Sequence, residues 1–90
     1  MSEPWKYIKK QDCPHLPELK EDIVSDKKAC EVCGVTHDLR ICLTCGAVHC
    51  CESDKAHNIE HFQITGHPFI RPHNSPYNFL WCYKCNAFLK

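Results

Sequence analysis

The chain has 90 residues, nine of them cysteine and seven histidine, with acidic and basic side chains in equal number. Ninety residues fit one domain, yet Ile, Leu, Val and Phe supply only about a fifth of them, too little to stabilise a core unaided. The charge balance leaves no cationic excess to release counterions from a phosphate backbone, and no run approaches the roughly 18 apolar residues of a membrane span, which argues against nucleic acid and membrane as partners.

The first stretch, residues 1–11, is charged, broken by Pro4, and lacks the apolar run of an export signal. A cytoplasmic location is expected, or a nuclear one in a eukaryote, and there thiols stay reduced. Tyr7 and Ile8, after Trp5, allow either a short strand or a loose tail. Residues 16–28 set Glu18, Glu21, Asp22 and Asp26 against Lys20, Lys27 and Lys28, the pattern of a solvated connector with at most one helical turn. Leu39, Ile41 and Leu43 alternate with Arg40 and Cys42, and Ala47 to Cys50 follows Gly46, so two short strands form a hairpin. Ser53 or Asp54 can cap a helix over about Lys55 to Thr65, which Gly66 and Pro68 stop. Phe69-Ile70 and Phe79-Leu80-Trp81 read as strands on either side of a turn-rich segment, residues 72–76. The expected fold is a small α+β zinc-binding domain with a short antiparallel sheet and one main helix.

The cysteines carry the chemistry. Cys30/Cys33, Cys42/Cys45 and Cys82/Cys85 are Cys-x-x-Cys pairs, a spacing that lets two sulfurs on one turn reach one tetrahedral ion. Gly34 and Gly46 directly follow two of these pairs, where a tight turn favours a residue tolerant of positive φ. With Cys13, His15, Cys50, His57, His61 and His67 the candidate ligands number twelve, enough for three four-coordinate sites. Sulfur and imidazole donors suit zinc, not the oxygen-seeking calcium or magnesium. Eight ligating thiolates against three dications would bring the neutral chain to a net charge of about −2, further from a nucleic-acid binder.

Three other patterns compete. Cys42-x-x-Cys45 followed by His57-x-x-x-His61 approximates a DNA-reading finger, but Glu52 and Asp54 precede the first histidine and the other pairs would be stranded. His57-Asn58-Ile59-Glu60-His61 matches the H-x-x-E-H pattern of a zinc peptidase, although a catalytic zinc keeps a coordination position open and this chain has thiolates to close every site. The eight ligands of a RING arrangement come in a different order.

The order Cys13-x-His15, Cys30-x-x-Cys33, Cys42-x-x-Cys45, Cys50, His57, His61, His67 and Trp81-Cys82-Tyr83-x-Cys85 resembles the UBP-type zinc finger, the ubiquitin C-terminal-binding finger. Glu60-His61-Phe62 through Thr65-Gly66-His67-Pro68 looks like that family's helix exit. The resemblance divides the chain into an N-terminal segment, residues 1–12, and the finger, residues 13–90. It implies three interleaved zincs: one on Cys13, His15, Cys82 and Cys85, a second on Cys30, Cys33, Cys50 and His57, and a third on Cys42, Cys45, His61 and His67. It also implies capture of a free protein C-terminus ending in Gly-Gly, by a non-enzymatic module, at positions that match Arg40, Cys51, Glu52, Trp81, Tyr83 and Phe88. Trp81 and Tyr83 are retained here. Cys51 and Glu52 stand where the family's Gly-Arg carboxylate clamp is expected, Arg40 stands for a Trp and Phe88 for a Tyr. A glutamate repels the carboxylate that an arginine would clamp, which leaves two expectations: Arg40 compensates, or the domain has a structural or other protein-binding role. Cys50-Cys51-Glu52-Ser53 is similar to stand-alone prokaryotic members. His37, His49 and His73 read as surface or packing residues.

Overall fold

The computed structural model describes residues 6–51, 56–75 and 78–90. Its elements in chain order are β1 (Tyr7–Ile8), β2 (Leu39–Cys42), β3 (Val48–Cys50), α1 (His57–Thr65), β4 (Phe69–His73), β5 (Trp81–Cys82) and β6 (Ala87–Leu89). The strands form one sheet in the order β1-β6-β5-β4-β2-β3, antiparallel throughout except for β1, which runs parallel to β6. Of the two options open to the N-terminal segment, Tyr7 and Ile8 thus take the strand, opposite Phe88 and Leu89.

The hairpin forms as its alternation predicts, with Leu39 opposite Cys50 and Ile41 opposite Val48. Directly opposed residues share a sheet face. One face therefore carries Leu39, Ile41, Val48, Cys50, Phe69, Cys82, Ala87 and Leu89, all buried, and this is the core. Residues 16–28 are more than a solvated connector: Leu16, Leu19 and Ile23 pack on that core, and Arg71 donates to the carbonyls of Glu21 and Ile23 at 3.2 and 2.7 Å. The charges in the segment hide the apolar spacing that makes it a lid. Its one helical turn is a 3-10 turn at Leu16–Glu18.

β4 runs past the expected Ile70 to His73, through Pro72. A proline is tolerated there because β5 pairs only with Phe69 and Ile70, so beyond them β4 has only β2 as a strand neighbour among the described residues. Phe79 and Leu80, expected in a strand, precede β5 instead, and Ala87–Leu89 add a further strand, β6. The helix ends as expected at Gly66, whose φ of 76° closes it with an N–H bond to the Phe62 carbonyl. Within the described residues it starts at His57, after Ala56 in a left-handed conformation at φ 57°; the expected start at Lys55 lies outside them. The capping expectation for Ser53 and Asp54 lies outside the described residues.

Candidate metal centres and the aromatic face

Each Cys-x-x-Cys pair is followed by a residue at positive φ, and two of the pairs close in the same hydrogen-bonded turn. Gly34 (φ 79°) donates to the Cys30 carbonyl at 3.0 Å, and Gly46 (φ 83°) to the Cys42 carbonyl at 2.8 Å. The third pair is followed by Asn86 at φ 53°, a residue type that tolerates the left-handed region. Backbone N–H groups point at sulfur: Val32 donates to Cys30 Sγ and Cys85 to Cys82 Sγ, both at 3.4 Å. Such turns hold two sulfurs side by side before any third donor arrives.

The donors gather into three groups of four: Cys13, His15, Cys82 and Cys85; Cys30, Cys33, Cys50 and His57; Cys42, Cys45, His61 and His67. Within each, all donor atoms lie within 4.8 Å of one another. Zn–S bonds of about 2.3 Å and Zn–N bonds of about 2.0 Å set tetrahedron edges of about 3.8 Å between sulfurs and about 3.5 Å between sulfur and nitrogen. In the first group Cys13 Sγ lies 3.9 Å from Cys82 Sγ and 3.5 Å from Cys85 Sγ, while His15 Nδ1 lies 3.4 to 3.6 Å from all three sulfurs. In the second, His57 Nδ1 is 3.5 Å from Cys30 Sγ and 3.3 Å from Cys50 Sγ, with Cys33 and Cys50 sulfurs 3.9 Å apart. In the third, Cys42 Sγ is 3.7 Å from His67 Nδ1 and Cys45 Sγ 3.5 Å from His61 Nε2. Edge lengths and donor chemistry both fit zinc, and no sulfur pair is at bonding distance. These are the same three quartets that the family resemblance implies.

The acidities of the thiols explain what zinc supplies. Burial pushes the Cys82 thiol up to about 12, and the neighbouring Cys13 adds to the effect. Burial also works against the Cys30 thiolate, but N–H groups of Cys33, Val32 and Cys50, with His57, bring it down to about 6. Cys33, in the same quartet as Cys30, accepts from the Val35 N–H but is raised by burial and by the neighbouring Cys30 and Cys50 sulfurs. In both centres a dication is therefore the counter-charge that lets thiolates gather.

His57 and His61 face different quartets, so the H-x-x-E-H pattern does not converge on one ion, and four donors per centre leave no position for a catalytic water. His49 is buried and stacks on His61 at 4.8 Å, a packing role. His37 is exposed beside Asp38, and His73 meets the Lys27 carbonyl at 2.6 Å.

On the opposite face of the sheet from the core, aromatic rings touch in a row. Tyr7 stacks on Phe88 at 5.2 Å, Phe88 meets Trp81 at 4.7 Å edge-on, Trp81 meets Tyr83 at 6.3 Å, and Tyr83 stacks on Phe62 of α1 at 4.9 Å. Phe79 adds a side branch against Phe88, and the Arg40 guanidinium lies 5.1 Å above the Phe79 ring. Asn58 Nδ2 donates to the Tyr83 hydroxyl at 2.6 Å, which ties the helix to the row. Arg40, Trp81, Tyr83 and Phe88 are thus brought to one half-buried surface. Cys51 is not on it: at 2% exposure it is packed inside, the fate of most unligated cysteines. Glu52 lies outside the described residues. A groove of about 300 Å³ is lined by Lys10, Glu21, Arg71 and Lys90 and borders the row at Phe79. All three of its cations are engaged: Lys10 with Glu21 at 2.7 Å, Arg71 with backbone carbonyls, and Lys90 over the Tyr7 ring at 5.2 Å.

A family model described as a zinc finger in ubiquitin hydrolases and other proteins matches residues 30–90. The NAD-dependent deacetylase sir2A of Dictyostelium discoideum is 38% identical over 87% of this chain, and ubiquitin carboxyl-terminal hydrolase 14 of Schizosaccharomyces pombe is 30% identical over 82% of it. The chain spans only 16% and 11% of those two proteins, so the likeness is to one segment of each. The solution NMR structure of protein RPA1320 from Rhodopseudomonas palustris matches with a TM-score of 0.73 at 32% identity, over 87% of this chain and 80% of that one. The fold therefore also occurs in a chain of comparable size.

Proposed function

Since this chain belongs to the family of zinc fingers found in ubiquitin hydrolases and other proteins, we propose that it is a non-enzymatic interaction module that binds the free C-terminal tail of a partner protein. The tail lies along the face of Trp81, Tyr83 and Phe88, and its terminal carboxylate pairs with Arg40. One observation carries this reading: a half-buried guanidinium stands at the edge of the aromatic row without a carboxylate partner among the described residues. Among the described residues only Nη1 donates a hydrogen bond, to the Leu39 carbonyl at 3.1 Å, which leaves N–H groups for two parallel bonds to a carboxylate. The Phe79 ring, 5.1 Å from the guanidinium carbon, restrains its position, so less side-chain freedom is lost on binding. A tail ending in Gly-Gly suits such a surface because it brings no side chain between the backbone and the rings, and ubiquitin is the partner this favours.

Calorimetric titration of the zinc-loaded protein with a Gly-Gly-ended ubiquitin tail peptide, as free acid and as C-terminal amide, tests the proposal. The free acid should bind at least about tenfold more tightly, a difference of about 1.4 kcal/mol. Arg40→Ala should abolish that preference. Equal binding of acid and amide would show that no carboxylate is read. The mutual stacking of the rings favours a second, purely structural reading of the row, under which neither peptide binds.

A further inference from the structure

The three centres differ in access. Of the nine cysteines, Cys45 alone is exposed; Cys33 and Cys85 are half-buried and the other six are buried. Cys45 sits in the short loop between β2 and β3, and its quartet partner Cys42 is buried at the end of β2 with its sulfur within 4.8 Å. We propose that this centre is an oxidant-sensitive latch, in which peroxide converts Cys42 and Cys45 to a disulfide and releases zinc from this quartet before the other two.

The chemistry closes without a further reactant. The exposed Cys45 thiolate attacks hydrogen peroxide, an S–O bond forms as the O–O bond breaks, and the departing hydroxide takes a proton to become water. The Cys42 thiolate then attacks the Cys45 sulfur, the S–S bond forms as the S–O bond breaks, and a second hydroxide leaves and is protonated. Two thiolates have given two electrons, and one peroxide with two protons has become two waters. The quartet is left with His61 and His67, too few donors for a closed tetrahedral site. Oxidation is directed here by access, since Cys45 is exposed whereas the most accessible sulfurs of the other two quartets, Cys33 and Cys85, are half-buried.

The release would act on α1. His61 is the helix residue that this quartet holds, and the same helix presents Phe62 and Asn58 to Tyr83. Losing the anchor frees the helix end that supports one end of the aromatic row, while the Cys13 quartet keeps the other end in place. The redox step itself is independent of what that row binds.

Peroxide should be titrated into the three-zinc protein, with released metal followed by a chromogenic chelator and disulfides mapped by peptide mass spectrometry. The expected first phase is loss of one third of the bound zinc with a single new disulfide, Cys42 to Cys45. Cys45→His keeps four donors and should lose that phase, whereas Cys51→Ser should leave it unchanged. Simultaneous release from all three centres, or a first disulfide that maps elsewhere, would overturn the proposal. Should Cys45→His fail to load zinc, the disulfide map of the unmodified chain decides on its own.

Discussion

The quartet of Cys13, His15, Cys82 and Cys85 joins donors up to 72 residues apart in sequence, whereas the two central quartets close spans of 7 to 27 residues. Closing the longer loop costs only about 1 kcal/mol more in chain entropy, since each doubling of length adds about 0.6 kcal/mol. Against the roughly 10 to 16 kcal/mol that a structural zinc contributes, that difference is minor. The centres differ instead in what they hold. The terminal quartet fixes β5 and, through pairing, β6 and β1, so it positions Trp81, Phe88 and Tyr7. The central quartets fix the hairpin and α1, and so approach the aromatic face from the other side.

Removal of all metal by a strong chelator should have the largest effect, complete loss of the dispersed amide spectrum, because the apolar core is too small to persist without about 10 kcal/mol or more from each zinc. Next, Cys82→Ser strikes a fully buried ligand at the sheet centre and should cost about 4 kcal/mol or more, read by urea unfolding at fixed zinc. Its spectrum should lose order first in β1, β5 and β6. By contrast, Cys45→Ser alters the exposed ligand and should cost about 1 to 3 kcal/mol, with faster amide exchange confined to α1. Equal penalties for these two variants would erase the distinction between terminal and central centres. Smallest of all, Arg40→Ala should change stability by no more than about 1 kcal/mol, the worth of its stacking on Phe79, while removing carboxylate-dependent binding.

Much of this was legible in the residues. Cysteine and histidine cannot be hidden by context, and Gly34, Gly46 and Gly66 mark turns that the backbone does require at φ 76 to 83°. The hairpin followed from the alternation of Leu39 and Ile41. What spacing could not assign was the separation of His57 and His61, because residues four apart on a helix share a face and would be expected to share an ion. They diverge because Cys50 reaches the start of α1 while His67, past the Gly66 turn, comes back beside His61. The lid was missed because Leu16, Leu19 and Ile23 lie among charges, and β6 because Ala87–Leu89 has no alternation to distinguish it from a tail. Asn86 was the available signal: it follows Cys85 as Gly34 follows Cys33, and a residue type that tolerates positive φ there marks a turn before a returning strand.

Three zinc centres together hold the fold. Native mass spectrometry of the purified chain, with metal analysis before and after chelation, measures this directly. Three zincs per chain, and a charge-state distribution that shifts to that of an unfolded polypeptide once they are removed, is the expected result. Fewer than two zincs per chain, or a compact distribution that survives their removal, would contradict it.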